Sequence, residues 1–309
     1  MQEILASGIE FIVWLQQFQT PLRNEIFEFV TNLGGSSYLY MIPLVPWCVD
    51  YRTGLRLLAV FSLTVFVNTT LKTWIAQPRP FQLDERVISH GELGYGLPSG
   101  HAQLVVVFWG VLARWVARPG FWVASVALMA AIGFSRIYLG VHFPSDVIAG
   151  WALGAATLWA FAAYGERVEA ALRRRELGAQ LTLAFALGAA LFVADLLFVG
   201  DAERLNAGAA GFVAGAGIGA AIGVRHLAFD GRGPWWQRPL RYLVGMAVML
   251  PLVGAMSRLG VPDGIAGKAV VTLDLAVVGL WLTLGAPWLF QIVRLSLPDP
   301  IRTPTKETA

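Results

Sequence analysis

Two histidines in this sequence are placed where they could divide the work of phosphoryl transfer. His101 stands at the start of one apolar run, and His142 stands just before another, with Asp146 four residues after it. One imidazole can attack a phosphorus atom while a second one protonates the leaving oxygen. A carboxylate beside the attacking imidazole fixes its tautomer and stabilises the cation that forms. The i, i+4 spacing allows His142 and Asp146 to lie on one side of an opening helical turn.

Three cationic side chains near the ends of apolar runs would complement these histidines. Lys72, Arg79 and Arg136 could together hold a phosphate group, because arginine in particular binds phosphate oxygens in a bidentate manner. Backbone N–H groups at a helix start would add donors and a partial positive charge. A single such cation more often reaches the membrane interface with no chemical role. The set as a whole favours phosphoryl transfer without a metal ion or another cofactor.

The composition indicates that membrane-spanning elements must position these residues. The chain has 309 residues, of which 56% are hydrophobic and 14% charged, and its mean hydropathy is +0.61. Soluble globular chains have about 45–50% apolar and about 25% charged residues, so this sequence belongs in a bilayer. The net charge of +3 is small and scattered, which argues against a nucleic-acid partner. The single cysteine, Cys48, excludes an intrachain disulfide bond and a cysteine-based metal site.

Apolar runs of spanning length follow one another along most of the chain. A helix needs about 20 apolar residues to cross roughly 30 Å of hydrocarbon. The first run is short and contains Pro43 and Pro46, so it is the weakest candidate. We therefore predict an all-α, polytopic membrane protein with nine crossings, at residues 35–50, 54–76, 100–117, 121–139, 145–165, 179–200, 206–224, 240–258 and 269–293.

The distribution of basic residues predicts the orientation of these crossings. Cytoplasmic loops collect Lys and Arg, and an outside N-terminus places 15 of the 23 basic residues on one side. This side includes the tail, so we expect a cytoplasmic C-terminus. The candidate site residues then all converge on the extracytoplasmic face. The bias of arginine over lysine is typical of a GC-rich bacterial genome, so we expect a bacterial inner or plasma membrane.

Three motifs in the first half of the chain resemble those of a known family. Residues 72–80 read Lys-Thr-Trp-Ile-Ala-Gln-Pro-Arg-Pro, residues 98–101 read Pro-Ser-Gly-His, and residues 135–146 read Ser-Arg-Ile-Tyr-Leu-Gly-Val-His-Phe-Pro-Ser-Asp. They match, in order and with no position missing, the three motifs of the type 2 phosphatidic acid phosphatase (PAP2) superfamily: Lys-x6-Arg-Pro, Pro-Ser-Gly-His and Ser-Arg-x5-His-x3-Asp. The sequence therefore resembles an integral membrane lipid phosphatase of that superfamily.

This resemblance implies a role for each motif residue. His142 would be the nucleophile that forms a phosphohistidine, Asp146 would orient it, and His101 would protonate the leaving group. The phosphate oxygens would be held by Lys72, Arg79, Arg136, Ser99 and the amide of Gly100. The resemblance also implies a six-helix core, made of one interfacial helix and five spans, over roughly residues 20–165. The four further transmembrane helices lie outside the motifs and receive no chemistry.

We predict five segments along the chain. Residues 1–34 form an N-terminal interfacial segment, because Phe11, Trp14, Leu15 and Phe18 share one face of an amphipathic helix over 2–19. The other segments are the phosphatase core (35–165), a charged cytoplasmic linker (166–178), a four-helix membrane region (179–294) and a polar cytoplasmic tail (295–309). In the membrane region, glycines recur at every fourth residue from 211 to 223, which favours close helix packing within the chain over a dimer face.

The location of the site indicates the class of substrate. A phosphate pocket at the outer interface suits membrane lipids whose head group reaches water, such as phosphatidic acid, lysophosphatidic or sphingoid phosphates, and undecaprenyl diphosphate. The acidic and glycine-rich loop 81–97 is either a rim that tunes head-group choice or a solvated connector.

Several alternatives stay open at this level. A phosphotransferase would use the same phosphohistidine but pass the phosphate to a lipid or sugar acceptor. A glucose-6-phosphatase-like enzyme would act on a soluble phosphate ester. Vanadium haloperoxidases share the superfamily, but the membrane composition argues against them. The non-enzymatic alternative, based on the C-terminal spans, is a lipid transporter or an assembly scaffold.

Overall fold

The described part of the chain consists of helices and the loops that join them. A computed structural model describes residues 2–89, 91–200, 204–227, 229–259 and 261–296, and no β-strand occurs in these ranges. The predicted all-α class is therefore confirmed. The α-helices are α1 (Gln2–Gln16), α2 (Pro21–Asn32), α3 (Tyr38–Leu44), α4 (Tyr51–Ile75), α5 (Pro80–Leu83), α6 (Gly100–Val116), α7 (Pro119–Tyr138), α8 (Pro144–Arg173), α9 (Leu177–Phe198), α10 (Leu205–His226), α11 (Gln237–Leu259), α12 (Gly264–Leu280) and α13 (Ala286–Ile292).

Six helical segments in the described residues are long and apolar enough to cross a membrane. They are Tyr51–Leu83, Pro119–Tyr138, Pro144–Arg173, Leu177–Phe198, Leu205–His226 and Gly264–Ile292. Tyr38–Val49 and Gly100–Val116 are apolar but shorter. The multi-pass membrane architecture is confirmed, while the count of nine crossings stays a prediction. The eighth predicted run, residues 240–258, falls on α11, which is not among these segments.

Prolines explain why the first predicted crossing is short. Helix α3 contains Pro43, and a five-residue π-helical turn, Val45–Val49, follows it with Pro46 near its start. Proline lacks the N–H that a continuous α-helix needs, so the hydrogen-bond pattern changes at this point. A second π-helical turn, Trp281–Gly285, lies between α12 and α13.

The chain divides into two compact units. The first unit comprises Met1–Leu39, Leu63–Val168 and Phe198–Ala202, and the second comprises Tyr40–Ser62, Glu169–Leu197 and Glu203–Ala309. All three sequence motifs lie in the first unit. The predicted core, residues 35–165, is therefore interrupted, because residues 40–62 group with the C-terminal helices.

In the first unit, α1 buries aliphatic side chains and leaves its aromatic side chains exposed. Ile12 and Leu15 are buried in a cluster with Phe143, while Phe11 and Trp14 stay exposed together with Phe18. The helix ends at Gln16, and α2 begins only after a break, so the pattern does not run on through residue 19. The physical reason is that an aromatic face can turn to lipid in a membrane protein, which leaves the smaller aliphatic face for the protein core.

In the second unit, the glycine ridge of α10 lies against α12. A Cβ added at Gly211 would overlap the carbonyl oxygen of Thr272, and one added at Gly215 would overlap that of Ala276. Only glycine allows this approach of two helix backbones. The ridge therefore serves packing within the chain, as the sequence predicted. Nearby in this unit, Lys268 Nζ lies 2.7 Å from Asp195 Oδ2, and both side chains are buried.

The charged stretch 166–178 is mostly helical. Helix α8 continues to Arg173, whose guanidinium lies 2.8 Å from Glu169 one turn earlier. Such i, i+4 pairs stabilise an exposed helix, so the predicted linker shortens to a brief break before α9 begins at Leu177.

Candidate active site

The predicted site residues come from five helix ends in the first unit. Lys72 is in the last turn of α4, Arg79 directly precedes α5, and Arg136 is in the last turn of α7. Ser99 and Gly100 open α6, together with His101, while His142 directly precedes α8 and Asp146 lies in its first turn. Helix ends thus present the polar groups, and the helix bodies stay apolar.

The hydrogen bonds of His142 define which ring nitrogen can attack. Its ring is fully buried, with Nδ1 3.2 Å from Asp146 Oδ2 and Nε2 3.3 Å from Arg79 Nη1. A guanidinium group only donates hydrogen bonds, so Nε2 must accept and therefore carries the lone pair. The proton then resides on Nδ1 and is donated to the carboxylate. This tautomer leaves Nε2 as the nucleophilic nitrogen.

The surroundings of His142 favour its neutral form. Burial lowers the pKa of His142 well below its ordinary value, and the positive charges of Lys72, Arg136, Arg79 and His101 lower it further. A neutral imidazole is the form that can attack phosphorus. The same cations that would bind a phosphate group therefore also keep the nucleophile unprotonated.

Three groups hold the Asp146 carboxylate in position. Gln77 Nε2 donates to Oδ1 at 2.7 Å, the Phe143 amide donates to Oδ2 at 3.0 Å, and His142 fills the remaining direction. Gln77 was not among the predicted site residues, although it lies inside the first motif. Only its contact across 69 positions of sequence identifies it, because the motif leaves that position unspecified.

The start of α6 meets the start of α8 through close backbone packing. The Ser99 amide donates to the Asp146 carbonyl at 3.0 Å, and a Cβ added at Gly150 would lie 2.6 Å from the Ser99 carbonyl oxygen. The Ser99 hydroxyl is buried without a hydrogen-bond partner in the described residues. It is therefore available to a ligand oxygen, while its role in binding phosphate stays a prediction.

His101 occupies the first turn of α6. Its ring packs against Gly35, where an added Cβ would lie 2.5 Å from Nε2. The ring makes no side-chain hydrogen bond to another predicted site residue within the described ranges. A substrate oxygen could therefore take its proton.

Two of the three cations, Arg79 and Lys72, are held by backbone carbonyl groups. Arg79 donates to Gly94 at 2.9 Å, to Leu93 at 3.0 Å and to Val141 at 2.8 Å. Lys72 donates to the carbonyls of Tyr95 at 2.8 Å and Gly96 at 3.1 Å. Most of these acceptors belong to the connection between α5 and α6. Backbone carbonyl groups carry no net charge, so these hydrogen bonds leave the positive charge of the cations unbalanced.

A carboxylate from the same connection completes the site. Glu92 Oε1 lies 3.4 Å from Arg79 Nη2, and Glu92 Oε2 forms an ion pair with Arg136. Arg136 also donates to the Thr31 hydroxyl at 2.8 Å. The sequence analysis placed Glu92 in the loop 81–97 but assigned it no specific role.

Among the described residues, no three His, Cys, Asp or Glu side chains come together as ligands for a metal ion.

The positions of the three motifs coincide with a family match. Residues 53–169 match the PAP2 superfamily, and residues 207–298 match a family described as a PAP2 superfamily phosphatase transmembrane extension. The second match covers most of the C-terminal helices, to which the sequence motifs had assigned no family.

Curated relatives match about half of the chain. Phosphatidylglycerophosphatase B of Bacillus subtilis is 30% identical over 165 residues, which are 48% of this chain and 78% of the relative. An undecaprenyl-diphosphatase of Sulfolobus acidocaldarius is 32% identical over 159 residues, covering 50% of this chain and 76% of the relative. Glucose-6-phosphatase 3 of Bos taurus is 29% identical over 188 residues, covering 52% of this chain and 53% of the relative.

Proposed function

This chain belongs to the PAP2 superfamily of phosphatases, and from that premise we propose that it hydrolyses lipid phosphate monoesters or diphosphates. The reaction passes through a phosphohistidine on His142 at the extracytoplasmic membrane face. The observation that carries the proposal is the pairing of a buried, Asp146-bound imidazole with three cations. Such a set both activates a nucleophile and attracts a phosphate group.

In the first step, the lone pair of His142 Nε2 attacks phosphorus and the bond to the leaving oxygen breaks. His101 gives its proton to that oxygen, so the lipid alcohol or lipid phosphate leaves in neutralised form. The imidazole of His142 becomes positively charged, and Asp146 stabilises this charge through Nδ1. Lys72, Arg79 and Arg136 balance the negative charge of the phosphoryl oxygens in the transition state.

In the second step, water attacks the phosphohistidine and the N–P bond breaks. His101, now neutral, takes a proton from the attacking water, which restores its starting form. The bonding electrons return to Nε2, and inorganic phosphate leaves. Both histidines end as they began, so the cycle needs no further reactant.

Two observations support a lipid substrate. The polar site residues lie at the ends of helices whose bodies are apolar, so a ligand head group can reach them while its tail remains among lipids. In addition, two relatives of which this chain covers more than two thirds are named for phosphatidylglycerophosphate and undecaprenyl diphosphate. A soluble phosphate ester is the second candidate, because glucose-6-phosphatase 3 also matches about half of the chain.

A panel of substrates tests the proposal. The purified full chain in detergent micelles is given phosphatidic acid, undecaprenyl diphosphate or glucose 6-phosphate in the presence of EDTA, and released inorganic phosphate is measured. We expect release from a lipid substrate and inhibition by orthovanadate, which mimics five-coordinate phosphorus. His142→Asn, purified in parallel, controls for contaminating phosphatases. Release from glucose 6-phosphate alone would favour the second candidate, and release that depends on added metal would contradict the mechanism.

A further inference from the structure

We propose that Glu92 is an internal competitor of phosphate, a role that rests on the proposed function of the site. Its carboxylate stands in the ligand-free enzyme where the phosphate group of a substrate would bind. It must leave when substrate enters, and its return displaces the inorganic phosphate product. The carboxylate is thus a built-in means of release from a site that would otherwise retain its product.

The geometry of the ion pairs resembles that of a bound anion. The two carboxylate oxygens of Glu92 form ion pairs with two different guanidinium groups: Oε1 with Arg79 and Oε2 with Arg136. These two arginine side chains are only 2% and 5% exposed, whereas that of Glu92 is 29% exposed. The anion therefore reaches inward from a more accessible loop to cations that are almost completely buried. Phosphate oxygens engage arginine pairs in the same bridging manner.

The residues that follow Glu92 complete the blockage. Leu93 and Gly94 accept hydrogen bonds from Arg79, and Tyr95 and Gly96 accept them from Lys72. Five consecutive residues thus occupy all three cations that would bind the phosphate oxygens. A phosphate group cannot reach these donors until at least part of the segment moves. The donors that it would meet are already oriented, because the segment holds them.

An internal competitor makes a specific thermodynamic prediction. If only the open form binds anions, every ligand of the phosphate pocket loses affinity by the same factor, which is the fraction of open protein. Removal of the competitor therefore tightens the binding of all such ligands equally. A residue that contacted the substrate would instead change the affinity of different ligands by different amounts, and usually for the worse.

The test compares Glu92→Gln with Glu85→Gln. Glu85 is exposed in the same connection and forms no ion pair in the described residues, so its change is chemically matched. The dissociation constants of inorganic phosphate and of orthovanadate are measured by calorimetry with the full chain in detergent. We expect both to fall about tenfold in Glu92→Gln and to stay unchanged in Glu85→Gln. In Glu92→Asp, which keeps the charge but shortens the reach, we expect a smaller fall.

Three results would overturn the proposal: unchanged constants, weaker binding, or changes that differ between the two anions by more than about threefold. Thermal unfolding of each variant shows whether it is folded, and Glu92→Asp remains a test if Glu92→Gln is not. Because the assay measures binding without turnover, it remains decisive if no lipid phosphate is hydrolysed. That outcome would contradict the proposed function and leave the role of Glu92 to be judged by the binding constants.

Discussion

The cluster of charged groups at the candidate site in the first unit differs in charge balance from the buried Lys268–Asp195 pair in the second unit. In the first unit, the carboxylates of Asp146 and Glu92 lie near Lys72, Arg79 and Arg136, and these five groups together carry a positive excess when the histidines are neutral. In the second unit, Lys268 and Asp195 lie 2.7 Å apart and neutralise one another. An ionisable group inside a membrane protein is a functional candidate by default. The positive excess of the first cluster attracts an anionic ligand, whereas the Lys268–Asp195 pair carries no net charge.

The comparison predicts that the largest loss of activity follows removal of the nucleophile in the first unit. In His142→Asn the side chain keeps a polar atom but cannot form an N–P bond that turns over. We expect kcat for phosphate release to fall by at least about 10³-fold. The measurement is phosphate release from the best lipid substrate, with circular dichroism and gel filtration as evidence of folding. Activity close to that of the unaltered chain would refute the phosphohistidine mechanism.

In the second unit, we expect the largest effect on stability. Lys268→Met leaves the buried Asp195 carboxylate without its counter-charge, which costs about 3–5 kcal/mol of unfolding free energy. The corresponding fall in unfolding temperature, measured in detergent, is on the order of 10 °C. The double variant Asp195→Leu with Lys268→Met should recover much of this loss, because it removes both charges.

The kinetic readout separates structural from chemical roles for this pair. Below the unfolding temperature, folded Lys268→Met protein should keep the kcat and KM of the unaltered chain. A loss of kcat with unchanged thermal stability would mean that the second cluster takes part in the reaction. The contrast between the balanced and the unbalanced cluster would then be lost.

A smaller effect is expected when the orienting carboxylate is neutralised. Asp146→Asn keeps the size of the side chain but cannot stabilise a positively charged His142, and its amide can turn an N–H toward Nδ1. We expect kcat to fall on the order of 10²-fold while KM changes little, because the amide does not contact the phosphate oxygens. Steady-state kinetics of folded protein provide the measurement. If kcat stayed unchanged and kcat/KM fell by a similar factor because KM rose, Asp146 would instead act in substrate binding.

The sequence could predict the chemistry of the first unit but not the whole site. His142, Asp146 and the three cations were identified because their types and spacing are dictated by the reaction. Gln77 and Glu92 act through contacts that depend on how a loop folds back, and no local pattern encodes this. In the same way, no local pattern separates the side of α1 that packs against the protein from the side that stays exposed, because a lipid-facing and a protein-facing surface can be equally apolar.

In the second unit, too, the sequence predicted local features but not contacts between distant residues. The glycine spacing in α10 was sufficient to predict a close helix contact, since small residues at every fourth position form one ridge. The partner of Lys268 could not be predicted, because Asp195 is 73 positions away on another helix. The spacing of residues thus predicts which side chains share one face of a helix. Which charges form ion pairs depends on how the helices pack, and the spacing does not show this.

The smallest expected effect is the response of activity to moderate acid, and it tests the positive excess directly. His142 must be neutral to attack, so the rate falls only when the pH drops through its pKa. Burial and the neighbouring cations lower that pKa well below its ordinary value of about 6.5. Between pH 7 and pH 6, kcat/KM should therefore stay nearly constant, whereas a histidine with an ordinary pKa would lose about threefold of its neutral form over the same interval.

The variant Lys72→Met sharpens this test. With one cation removed, the pKa of His142 should rise and the acidic fall in kcat/KM should move to higher pH. The movement should be modest, because burial is a larger cause of the lowered pKa than any single cation. An acidic limb near pH 6.5 in the unaltered chain would mean that the positive excess does not act on His142.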